Sequence, residues 1–278
     1  MRSAQEVARY AGQSFALPQS CSKIRSLLDD PSADAADIAD VIALDPSLSS
    51  KLLKLANSAL FRFPAQVNSI TKAVNVIGGE ALYNLALAET ASSAFRHFAN
   101  DAVDVRRFWK QSVFAGLAAK QLARVSKARG SDEYFVAGLL HQLSELVLAA
   151  QEPELVAECA KYDKKELPWQ RQQRLLGFTY TQCSAMILQQ WQLPNQFSYI
   201  IEHMHDEVKT ACGKDLAIGH LCVRLALHML DARYKLDNLL SPVALKKLKL
   251  ESADVQDILK FTQMDAHKLL SVMNPDLF

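Results

Sequence analysis

The sequence predicts an all-α protein of about a dozen helices with essentially no sheet. Three observations carry this expectation. Nine glycines and nine prolines in 278 residues leave room for long helices. Several stretches carry helix-starting and helix-stopping residues at both ends. Sustained polar/apolar alternation is absent, as are Asn-Gly and Asp-Gly hairpin turns. No fixed-period repeat is visible, which argues against a helical solenoid.

In chain order, "DPSLSSKLLKLAN" opens with Asp45 as N-cap and Pro46 at the first helical position, where a missing N–H costs nothing. Leu48, Leu52 and Leu55 then recur at helical spacing. "SITKAVNVIGG" begins at Ser69, which can cap, and ends at Gly78, which can adopt positive φ. A polar connection over residues 97–105 separates a small-residue helix from a long one that starts near Arg106. "GLLHQLSELVL", residues 138–148, reads as one apolar helix with a histidine inside it. Thr179 and Gln182 stand at capping-box spacing, and another helix opens after Pro194. Residues 206–215 form a second polar break, and the chain ends in an amphipathic stretch, "ESADVQDILKFTQMDAHKLLSVM". These breaks divide the chain into 1–104, an N-terminal helical subdomain; 105–210, a helical bundle; and 211–278, the last bundle helix with a C-terminal helical extension.

Half the residues are hydrophobic, 22% are charged and the formal net charge is +1. That describes an ordinary globular chain with no general pull toward nucleic acid or anionic lipid. Lys246, Lys247 and Lys249, the densest basic cluster, read as a solvated helix face. Cys21, Cys159, Cys183, Cys212 and Cys222 are scattered without C-x-x-C spacing, which fits a reducing cytoplasm and argues against a cysteine zinc site. The opening residues lack an apolar core of signal-peptide length, and no apolar run is long enough to span a membrane. G-x-S-x-G, Walker and G-x-G-x-x-G patterns are missing.

Leu17–Pro18, Asp30–Pro31, Asp45–Pro46 and Leu55-Ala56-Asn57-Ser58 with Phe61, continued by Ser69, Ala73, Gly78 and Leu82, resemble the opening of the HDOD family, bacterial signalling modules related to HD-domain metal-dependent phosphohydrolases. The likeness runs on through "FWKQSVFAGLAAKQLA", "YFVAGLLHQLSELVL" and "LLGFTYTQCSAMILQQWQLPNQFSYIIEHMH", over roughly residues 14–227. It implies an N-terminal helical subdomain packed on an HD-like helical bundle, with a regulatory role in signal transduction. The expected partner is a signalling protein, or a small metabolite or nucleotide, met on the surface between the two subdomains.

HD enzymes hold metal with a histidine on one helix, an adjacent His-Asp on the next and an aspartate on a later one. Carried onto this chain, those positions become Gln111, His141–Gln142 and Val223, with Ser144 and Glu145 where a glycine-basic pair often follows. One ligand of four survives. Gln offers only a neutral carbonyl and Val nothing, so no metal, cofactor or catalytic residue is expected. The candidate degenerate pocket is therefore Gln111, His141, Gln142, Glu145, His203, His205 and Val223. A rearranged phosphohydrolase set of His141, Glu145, His203 and His205 is the competing reading. Simpler roles are also open. His141 can pair with Glu145 at i, i+4, and His203 and His205 can sit at a helix end. His220 and His228 can be structural. Asp45, Pro46, Leu55, Ala56, Asn57, Ser58 and Phe61 read as a packing motif in which Asn57 and Ser58 satisfy the end of a helix.

Overall fold

The computed structural model describes residues 2–58, 60, 61, 63, 66–163 and 165–278, and no strand occurs among them. The helices are α1 (Ala4–Ser14), α2 (Gln19–Asp29), α3 (Ala35–Ala43), α4 (Pro46–Ala56), α5 (Ile70–Ile77), α6 (Gly79–Phe98), α7 (Val105–Val125), α8 (Ser131–Leu140), α9 (Leu143–Ala149), α10 (Pro153–Cys159), α11 (Pro168–Leu176), α12 (Tyr180–Gln190), α13 (Asn195–Glu202), α14 (Glu207–Thr210), α15 (Lys214–Leu230), α16 (Pro242–Leu248) and α17 (Ser252–Met273). They are more numerous than the sequence suggests because runs that look continuous are broken.

Contacts group the chain into two units, Met1–Ala16 with Phe95–Gln263, and Leu17–Ala94 with Met264–Phe278. The first sixteen residues thus go with the middle of the chain, because α1 lays Val7, Ala8 and Ala11 against α12 and α9.

In the second unit, capping follows the side chains. Asp45 Oδ1 accepts from the Leu48 amide at 2.9 Å with Pro46 at the first helical position, so α4 starts there. Leu48, Leu52 and Leu55 are its buried stripe. Asp30 closes a turn by accepting from the Ser32 amide and hydroxyl. At the end of α4, Asn57 Nδ2 donates to Leu53 O at 2.8 Å and to Val67 O at 2.7 Å, while its Oδ1 accepts from the Val67 amide at 2.8 Å. Ser58 Oγ donates to Leu55 O, and Phe61 stacks on Phe63. Asn57→Ala is expected to lower stability by about 1–2 kcal/mol, read as a lower urea midpoint, because the Val67 amide and carbonyl lose their partner together.

The first unit is organised around α7, α8 and α15, with α7 packed against both others. Two glycines let α7 and α8 touch through their backbones. A Cβ on Gly138 would lie 2.6 Å from the Ala115 carbonyl, and one on Gly116 would lie 2.8 Å from Phe135 O. Phe95, Phe108 and Trp109 meet edge to face beside this seam.

Candidate functional site

The stretch expected to be one helix over 138–148 is two. α8 stops at Leu140, Gln142 leaves helical geometry with φ −118° and ψ 19°, and α9 begins at Leu143. No proline or glycine breaks it. The freed groups find partners on other helices instead: the Ser144 amide donates to Ser184 Oγ at 3.0 Å and Ser144 Oγ to Tyr180 O at 2.8 Å. Gln142 Nε2 reaches Phe108 O and Ser112 Oγ on α7 at 3.2 and 3.3 Å.

The break delivers His141 and Gln142 to a cavity of about 30 Å³ whose wall also includes Gln111 of α7, Val223 of α15 and His205. Five of the seven predicted pocket residues therefore meet. Glu145 lines an adjoining recess of about 100 Å³, shared by Gln111, Gln142, Gln172 and Tyr180 and bordered by Arg107 and Lys161. His203 belongs to neither wall: it caps the end of α13, its Nε2 is 2.9 Å from Lys209 Nζ and its ring lies edge-on to Tyr199. Because α13 ends at Glu202, His203 and His205 diverge, and the rearranged set of His141, Glu145, His203 and His205 does not converge.

His141 is buried, and its Nδ1 lies 2.6 Å from Gly138 O. Nδ1–H therefore donates, and Nε2 keeps its lone pair. Burial pushes its pKa down to about 4, against a smaller upward pull from the Gly138 carbonyl. The expected i, i+4 pair with Glu145 is absent, since the helix is broken between them. Burial holds Glu145 at a pKa of about 7, with the Arg107 charge opposing. The His205 ring stacks on Trp169 at 4.3 Å and 10°, and its buried Nδ1 has no hydrogen-bond partner among the described residues. Burial holds it well below the ordinary histidine range, and Arg224 adds to that.

Sequence reasoning missed Arg224, Trp169, Tyr180 and Arg107. Arg224 is buried, donates from Nη1 to Met204 O and His220 O at 3.3 and 3.0 Å, and lies 4.7 Å over Trp169. An arginine inside the apolar run "HLCVRLAL" was the available signal. His220 is also buried, with Glu207 Oε2 3.1 Å from its Nε2. Burial takes its pKa to about 4. His228 Nδ1 pairs with Tyr234 O at 2.9 Å.

A divalent metal does not fit these residues. The cavity wall offers imidazole nitrogens, amide oxygens and hydroxyls but no carboxylate, Val223 stands at the position that the resemblance gives to the last ligand, and Glu145, in the neighbouring recess with Asp104, keeps its proton up to about pH 7. The Arg224 cation raises the cost further. Among the described residues no three His, Cys, Asp or Glu side chains gather as a metal would need.

A family model described as the HDOD domain matches residues 15–207. Solved structures of the same fold include an HDOD domain protein of unknown function from Geobacter sulfurreducens, with TM-score 0.69 and 20% identity over 99% of this chain and 98% of that one. A candidate phosphohydrolase from Shewanella amazonensis SB2B gives 0.70 at 18% identity, covering 98% of each chain. A candidate signal transduction protein from Marinobacter aquaeolei VT8 gives 0.64 at 20% identity, over 94% of this chain and 59% of that one. At these identities the likeness is one of fold alone. A curated relative of uncharacterised function from Treponema pallidum (strain Nichols) is 26% identical over 218 residues, 75% of this chain and 42% of its own length. The chain thus spans under half of that relative. No helix among the described residues is long and apolar enough to cross a membrane.

Proposed function

We propose, from the premise that the chain belongs to the HDOD domain family, that it is a non-catalytic regulatory module of bacterial signal transduction, acting by binding a protein partner or small ligand. One observation carries the reading. The positions at which HD enzymes ligate metal are here Gln111, His141–Gln142 and Val223, gathered around one cavity with no carboxylate in its wall. A hydrolytic metal site needs about three protein ligands converging on the ion and an open position where bound water becomes hydroxide. A neutral imidazole beside an amide and a valine provides neither.

The test is metal content and turnover. Purified protein incubated with Mn, Fe, Ni or Zn and then desalted is expected to retain far less than one ion per chain. It is also expected to leave a generic phosphodiester unhydrolysed. Stoichiometric metal lost in His141→Ala, together with turnover abolished by the same change, would replace this reading with a divergent phosphohydrolase.

A further inference from the structure

We propose that the recess beside Glu145 binds a small zwitterion of the free α-amino-acid type, its ammonium held by Glu145 and its carboxylate by Arg107, an inference that deepens the binding-module reading and rests on it. Both charges line one recess, where Asp104 and Lys161 add a second acid and a second base at the lining. They attract each other without closing to an ion pair. Among the described residues the Glu145 carboxylate accepts no hydrogen bond, and the Arg107 guanidinium donates none; only the Arg107 backbone amide is engaged, by Asp104. A carboxylate and a guanidinium held apart over one concave space match a ligand that carries both complementary charges.

The neutral groups point the same way. Gln142 has spent its Nε2 on Phe108 O and Ser112 Oγ, so its Oε1 remains to accept from an ammonium. Gln172 has spent its Oε1 on the Tyr180 amide, so its Nε2 remains to donate to a carboxylate. The Tyr180 hydroxyl is buried and lines the recess beside the Cys159 thiol. Glu145, held near pH 7 by burial, would be drawn fully into its ionised form by an ammonium at contact.

Size narrows the class. About 100 Å³, at ~15 Å³ per water-sized group, accommodates roughly seven such groups. That suits an amino acid with a short side chain, whereas a nucleotide would project far out of the recess.

The experiment is calorimetric titration and thermal shift of the full chain with the proteinogenic amino acids, beside their N-acetylated and C-amidated forms. At least one short amino acid is expected to bind saturably, with each blocked form at least about tenfold weaker. Glu145→Gln and Arg107→Gln are each expected to weaken it by a similar factor. Should Glu145→Gln lower the melting temperature of the unliganded protein, Arg107→Gln on the half-buried first turn of α7 decides the matter. No binding by any amino acid, equal binding of the blocked forms, or binding unchanged in the variants overturns the proposal. Such a failure in metal-free, inactive protein would remove the zwitterion alone, whereas metal-dependent turnover would remove the regulatory reading itself.

Discussion

Acidification from pH 7 to pH 5 is expected to destabilise the protein by about 2 kcal/mol or more, seen as a falling urea midpoint. His141 and His220 are held near 4 by burial and His205 well below its ordinary value. Their folded pKa values lie under those of the unfolded chain. Below about 6.5 the unfolded state therefore takes up protons that the native state refuses, and stability present above that pH is lost as it falls toward 4. A histidine shifted from 6.5 to about 4 loses about 2 kcal/mol by pH 5. Glu145 works in the opposite sense. Its folded pKa of about 7 lies above the unfolded value of 4.5. Its contribution is full below about 4.5 and disappears as pH rises through 7. Over the same interval it offsets at most one histidine, about 2 kcal/mol, and less because one edge of Glu145 is accessible. Three histidines against one carboxylate leave the acid side losing. Glu145→Gln is expected to steepen the profile and to raise stability at pH 7.5 by about 1–2 kcal/mol. A flat midpoint between pH 5 and 7 would contradict this account of the buried groups.

Gly138→Ala is expected to cost about 3 kcal/mol, near the upper end for overpacking, and to lower the melting temperature by roughly 5 °C for a chain of this size. The new Cβ would come within 2.6 Å of the Ala115 carbonyl carbon and oxygen and 2.7 Å of the Gly116 Cα. These are backbone atoms in the middle of a 21-residue helix. No rotamer change relieves the clash, so α8 must move bodily away from α7. His141, bonded to the Gly138 carbonyl, would move with it. Gly213→Ala is the matched control. Its Cβ meets nothing closer than 4.0 Å and its φ of −153° is ordinary extended backbone, so only the cost of Ala at the N-cap of α15, about 1 kcal/mol or less, is expected. Equal melting temperatures for the two variants would mean that the seam is not tightly packed.

The all-α class was legible because its signals are local. Asp45–Pro46 starts α4, Thr179 and Gln182 form the box that starts α12, and Ser69 and Gly78 bound α5. Each of these needs only the next few residues. The break at His141–Gln142 was not legible, since what stabilises it comes from Ser184 and Tyr180, about forty positions away. The separation of His203 from His205 turned on where α13 ends, and helix ends are weakly encoded. Gln111, His141, Gln142 and Val223 were placed by their resemblance to HD ligand positions, and they do line one cavity. Arg107 escaped notice because its relation to Glu145 is purely spatial. Trp169 and Arg224 escaped for the same reason: an arginine stacked on a tryptophan 55 positions earlier leaves no periodic trace.

Tyr180 gives the first unit a mechanical clasp. Its amide is held by Gln172 of α11, its carbonyl by Ser144 of α9, and its ring enters the walls of both cavities. An occupant that pushes or pulls the ring therefore tugs on three helices at once. Small events inside the recess acquire leverage on the outer surface of those helices, where another molecule can feel them.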